Sequence, residues 1–332
     1  MWYAKHRSKG HAVSLLLIAL SLLVAVLLIA NRQQVVDQIT VWQFKPSAEI
    51  QSFADQSGMS GTGRFYYYAS QPSLESTQDF NTKCGRAEAS AAILGCYSSR
   101  KIYIYNVTDE RLNGIKAVTA AHEMLHAAYE RLSDSERSRI DGLLDAEYQK
   151  LKGDKDLAER MAFYERTEPG QQNNELHSVL GAEIASLSPE LEKYFSRYFA
   201  DRSKVTKLHD SYSAVFEGLQ DRAEELSTRL HDLGNTIEEG TAAYNADVER
   251  LNEDIQRFNS RAENGGFDSQ AQFENERNEL ISRTNQLEQT RTNLNDAIQE
   301  YEALRQELST IAAQSEELNR SINSSLAPAP SL

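Results

Sequence analysis

His122-Glu123-Met124-Leu125-His126 is the stretch in which residue types and spacing point most directly to chemistry. Two histidines four residues apart lie on one face of a helix, one turn from each other. Their imidazoles can reach a single tetrahedral ion, and Glu123 projects beside it as a candidate base. The flanks favour burial, because Glu123 is the only formally charged residue between Ala117 and Tyr129 and proline is absent. A helix that is apolar all round is a buried one. Two buried histidines and a glutamate require a compensating partner, and zinc supplies it most simply. The alternative is a pair of core histidines satisfied by hydrogen bonds.

Pattern alone outlines the elements that must hold this helix. Residues 64–69 are short and aromatic and read as a strand. A small helix is expected over 86–92, followed by strands over 93–97 and 101–107 that Ser98-Ser99-Arg100 joins. The metal helix runs over about 113–132. Ser133-Asp134-Ser135-Glu136 carries N-cap chemistry for a helix reaching about 151. Another spans about 155–165 and ends at Glu168-Pro169-Gly170. Asn173-Asn174 opens a helix over 175–185, and Ser188-Pro189-Glu190 starts one filling 191–199, with proline in the first turn.

The ten residues from Thr119 to Ala128 resemble the active-site helix of zincin metallopeptidases. The extended metzincin pattern would place Gly at 129 and His at 132, whereas this chain has Tyr129 and Leu132. The departure points to the gluzincin arrangement, whose third ligand is a glutamate on a later helix. Asn174-Glu175 at a helix start resembles the second gluzincin zinc motif, so the resemblance gives Glu175 the ligand role, with His177 and Glu183 as rivals on the same helix. Val179 stands where that family carries an acidic residue four positions on. Read from its position alone, Glu175 is a first-turn carboxylate complementing the helix dipole. The resemblance implies an α+β, mostly helical catalytic domain with a small sheet. It implies a zinc ion (Zn2+) on His122, His126 and Glu175, and a water activated by the metal with Glu123 as general base. The reaction expected is hydrolysis of peptide bonds in a peptide or protein substrate, with Tyr164 or His177 as donor to the oxyanion. Zincins commonly align substrate with an edge strand beside the metal helix. The strand over 101–107 is the candidate for that role, and an ordinary core strand is the competing reading.

Outside this domain the chain is organised by composition. Residues 12–30 are apolar apart from two serines and long enough to span a bilayer at about 20 residues. Lys5, Arg7 and Lys9 precede them, which places the N-terminus (1–11) in the cytoplasm and the catalytic domain outside a single-pass cell membrane anchor. A cleaved signal peptide is the alternative. Residues 31–63 end in Ser-Gly-Met-Ser-Gly-Thr-Gly and read as a stalk leading into a domain over 64–202. Cys84 and Cys96 can close a short disulfide loop, which suits that compartment, or remain two buried thiols.

From about residue 203 to 322 apolar residues recur at heptad spacing in two series. Glu263-Asn264-Gly265-Gly266 separates them, predicting an antiparallel coiled-coil hairpin with arms of about 80 Å. Residues 205–322 hold 24 acidic and 11 basic side chains, nearly all of the net charge of −14. The hairpin reads as a spacer, a clamp or an arm for a coiled-coil partner or self-association, and residues 323–332 as a disordered tail. An acidic chain of this kind is a poor binder of nucleic acid. The functional alternative to a peptidase is an inactive zincin-fold scaffold that gathers envelope or surface partners on its coiled coil.

Overall fold

The first helix, α1 (Arg7–Ala30), opens on a basic first turn and continues as the apolar stretch Val13–Ala30, which has a mean hydropathy of 3.1 and no buried residues. It is long and apolar enough to cross a membrane or to serve as a signal sequence. The computed structural model describes residues 7–84, 93–167 and 169–323. The helix expected over 86–92, Glu168 and the expected tail beyond Asn323 lie outside them. The chain divides into two units, Met1–Val215 with Leu318–Leu332, and Phe216–Glu317.

The first unit corrects the expected stalk. Residues 31–63 contain α2 (Arg32–Gln43) and α3 (Ala48–Gln56), and the Ser47 hydroxyl accepts from the Ile50 amide at 3.2 Å to cap α3. Ile50, Phe53 and Ala54 recur at helical spacing and are buried with Met59 in the core, so this segment is part of the unit. Residues 64–69 are also no strand. They belong to α4 (Gly61–Ala69), started by a Ser60 side chain that accepts from the Gly63 amide at 3.1 Å. Tyr67 is fully buried, with Tyr66 and Tyr68 packed against the same core. Aromatic richness here reflects packing, which a helix satisfies as well as a strand.

Next come β1 (Ser73–Glu75), α5 (Thr77–Lys83), β2 (Gly95–Ser98) and β3 (Lys101–Tyr105). A disulfide joins Cys84 after α5 to Cys96 in β2. The sheet order is β1-β3-β2. Strand β3 is therefore central, parallel to β1 (Ser73 opposite Tyr103) and antiparallel to β2 (Gly95 opposite Ile104). This overturns its expected role as the edge beside the metal helix, since its backbone is paired on both sides. Its buried Ile102 and Ile104 make it a core strand. The edges are β1 and β2, and β2 is joined to β3 through Ser99 and Arg100 with φ of 51° and 63°, the left-handed values of a tight hairpin turn.

The remaining helices of the unit are α6 (Ile115–Glu130), α7 (Asp134–Leu151), α8 (Lys155–Thr167), α9 (Gln172–Ala182) and α10 (Pro189–Phe195), followed by the first residues of α11 (Ser203–Glu263). Ser133 caps α7, accepting from the Glu136 amide at 3.3 Å. The unit runs past the expected limit at 202, because Val205 is buried in the core and Leu208 and Tyr212 pack against it.

In the second unit, α11 pairs antiparallel with α12 (Gln270–Ile322) around buried Leu226, Leu304 and Ile311. Arg222–Glu307 at 2.6 Å and Arg283–Asp254 at 2.7 Å cross between the helices. Gly265, with φ 65°, turns the chain, and Phe258, Phe267 and Phe273 cluster with ring centroids 5.1–5.3 Å apart beside the turn.

Candidate metal centre

Helix α6 carries the histidine motif through the middle of the core. Gly114 (φ 98°) starts it, and residues from Ala117 to Tyr129 are buried apart from His122, which is half-buried. Helix α9 lies against it because Gly181 has no side chain. A Cβ there would stand 2.5 Å from Leu125 Cδ1 and 2.6 Å from Phe195 Cε1. That close approach brings the start of α9, with Glu175, opposite the two histidines.

The ligand atoms of His122, Glu123 and His126 all lie within 4.8 Å of one another, and this trio could hold a metal ion. The Glu175 carboxylate joins it from α9, with Oε2 3.8 Å from His122 Nε2 and Oε1 3.5 Å from His126 Nε2. Donors held about 2.0–2.1 Å from one tetrahedral zinc stand roughly 3.3–3.4 Å apart. The separations therefore suit three ligands around an ion, and they are long for direct hydrogen bonds.

The opposite ring nitrogens are occupied. His122 Nδ1 lies 3.1 Å from Glu183 Oε1, and His126 Nδ1 lies 3.0 Å from Asn174 Oδ1 and 3.2 Å from Ser178 Oγ. With Nδ1–H donating to those oxygens, each Nε2 is left to face Glu175, the orientation a metal-binding histidine needs. Burial disfavours charge on His122, but the neighbouring Glu175 and Glu183 carboxylates outweigh it and push its pKa up to about 10. Burial likewise opposes ionisation of Glu175, yet the fields of His126 and His122 and a hydrogen bond from Tyr164 hold it below its ordinary value.

The rivals for the third position are placed elsewhere. Glu183, just past α9, serves the back of His122 and not the Nε2 side. It also accepts from Arg160 and lies 3.4 Å from His209 Nε2. His177 is fully buried between α6 and α10, with its Nε2 2.9 Å from the Tyr194 hydroxyl and its ring 5.2 Å from those of Tyr129 and Phe195. Burial brings its pKa down to about 3. Its Nε2 is taken up by Tyr194, whereas the Nε2 atoms of His122 and His126 face Glu175. Tyr164 remains beside the site, its phenol kept protonated by burial and by the Glu175 and Glu183 carboxylates.

Strand β2 completes the wall around Glu123. A Cβ on Gly95 would stand 2.6 Å from Thr119 Cγ2 and 2.7 Å from Glu123 Oε1, so only glycine permits this contact. Along the same strand the Tyr97 hydroxyl reaches Glu130 and accepts from Arg131 Nη1 at 3.2 Å. Arg131 in turn grips buried Asp37 of α2 through two bonds of 2.8 and 2.9 Å. Ser178, Gly95 and the Asp37–Arg131 pair carry no signal in the sequence, and Asn174 carries one only as a helix opener beside Glu175. Glu183 had one, its place on the ligand-bearing helix, but for a different role. No protein-family profile, curated protein or solved structure matches the chain.

Proposed function

We propose that this chain is a membrane-anchored zinc metallopeptidase of zincin type, with His122, His126 and Glu175 as ligands and Glu123 as general base. The observation carrying this reading is the convergence of His122 Nε2 and His126 Nε2 on the Glu175 carboxylate at 3.8 and 3.5 Å, with Glu123 on the same helix turn. When bound, zinc supplies Lewis acidity to a substrate carbonyl and to water. Glu123, buried against Gly95, takes the proton from the attacking water and returns it to the leaving amine. Tyr164, held protonated, donates to the oxygen that gains charge. Glu183 and Asn174 keep the two imidazoles oriented.

Strand β2 supplies the substrate-aligning edge that β3 does not. The Tyr105 amide donates to Leu94 O at 2.8 Å, and in an antiparallel ladder this turns the N–H and C=O of Gly95 and Tyr97 away from β3. An extended peptide pairing there passes directly beside Glu123. The apolar α1 is read as the anchor, with the positive residues before it on the cytoplasmic side and the catalytic unit outside.

Glu123→Gln tests the mechanism. The variant keeps its metal and loses chelator-sensitive cleavage of a broad peptide library. Full activity in that variant removes the mechanism. Metal bound by the parent with no cleavage at all leaves a scaffold that uses the ion for structure.

A further inference from the structure

Helix α2 reverses the usual arrangement of an amphipathic helix. It buries a charge, Asp37, which is 4% exposed, and turns Val36, Ile39 and Trp42 outward at 54%, 44% and 75% exposure. At 100° per residue, Val36 and Trp42 flank Ile39 within about 60° on either side, and Asp37 lies about 160° away. The inward face is fixed by the Asp37–Arg131 pair, by Gln33 donating to Asp37 at 2.8 Å, and by packing on α4. The outward apolar row is therefore held in place. Single exposed apolar residues are ordinary, whereas a row of three backed by a buried ion pair faces something other than water. The neighbouring element indicates what that is. The exposed apolar stretch Val13–Ala30 ends two residues before α2 begins, with Asn31 leaving helical geometry between them (φ −108°, ψ 24°).

We infer that α2 is an interfacial helix whose Val36–Ile39–Trp42 face rests in the phospholipid headgroup layer, so that the metal-binding unit is clamped against the bilayer. This rests on α1 being a membrane anchor. The headgroup layer is about 5–8 Å deep on each side. Twelve residues of helix standing upright would reach about 18 Å, carrying Trp42 into water, so the row stays in the interface only if α2 lies along it. Tryptophan at its distal end suits that depth. Arg32, at the first turn, stands at the level of lipid phosphates. The clamp extends to the site, since Asp37 holds Arg131, which contacts Tyr97 of the β2 edge.

The test uses the full chain in phosphatidylcholine vesicles. The chain has two tryptophans, and Trp2→Phe leaves Trp42 as the sole reporter. Retention on vesicles after an alkaline wash is scored first, and a chain that washes off defeats the anchor reading itself. For retained chain, the inference expects blue-shifted Trp42 emission, quenched by lipids brominated near the headgroup and insensitive to aqueous iodide. Retained chain with iodide-quenched, red-shifted Trp42 overturns it. Shielding from both quenchers that disappears on dilution into excess lipid also overturns it, because the face would then be covered by a second copy. Ile39→Ser with Val36→Ser should abolish the bromolipid quenching while leaving the far-ultraviolet spectrum unchanged.

Discussion

Gly95→Ala places one methyl group where β2 meets α6. Its carbon would stand 2.6 Å from Thr119 Cγ2, 2.7 Å from Glu123 Oε1 and 2.9 Å from Glu123 Cγ. Carbon atoms settle at about 3.5–4.0 Å, so strand and helix must part by about 1 Å or Glu123 must swing aside. Thr119 and Glu123 sit on a helix buried by α3, α4 and α9, which leaves β2 or the Glu123 side chain to move. Overpacking of this kind costs about 1–3 kcal/mol of stability. A displacement of about 1 Å in a catalytic group can cost on the order of 100-fold in rate. The expected variant binds its metal normally, unfolds at modestly lower denaturant, and cleaves the peptide library roughly two orders of magnitude more slowly. Urea unfolding, metal content and initial rates on one preparation measure all three. An unchanged rate together with an unchanged midpoint would mean that β2 does not press on Glu123.

Three further outcomes follow from the first unit. Arg131→Met leaves Asp37 buried without its partner and should cost about 3–5 kcal/mol in urea unfolding. Arg131→Met with Asp37→Leu should recover most of that, and a single-variant loss below about 1 kcal/mol would refute the pair's importance. His177 is neutral when folded, with its pKa brought down to about 3. The unfolded chain binds this proton from about pH 6.5 downward and the folded chain does not. Stability therefore falls as pH drops from about 6.5 toward 3, at up to about 1.4 kcal/mol per unit. His177→Gln should flatten that slope across about pH 7 to 4, and an identical slope would refute the assignment. Reducing the Cys84–Cys96 bond, which spans a sequence separation of 12, should cost about 3 kcal/mol in the chain-entropy model. Urea midpoints with and without reductant measure it, and no shift would contradict it.

The legible parts of the sequence were those with a strict period or a local cap. His122 and His126 share a face by spacing alone, Ser133 announces α7, and the heptads with their glycine turn outline the α11–α12 hairpin. The illegible parts depended on distant partners. The tyrosines at 66–68 favour a strand by propensity, yet the Ser60 cap and the burial of Tyr67 make them helical. The central place of β3 depends on β1, three residues with no strand signature of their own. Position 179, where the resemblance calls for an acidic residue, holds Val179, which is buried in the core and leaves the carboxylate behind His122 to another residue. It comes from Glu183, where the chain leaves α9 and can turn back. Asn174 looked like a helix opener, and its contact with His126 exists only once α6 and α9 are packed.

The most direct test of the central claim is zinc content per chain, purified without chelator and offered zinc, for the parent, His126→Ala and Glu175→Ala. The account predicts one zinc in the parent and a large loss in both variants, with each still folded by circular dichroism. Zinc retained at full stoichiometry in folded Glu175→Ala, or no zinc in the parent, would contradict it.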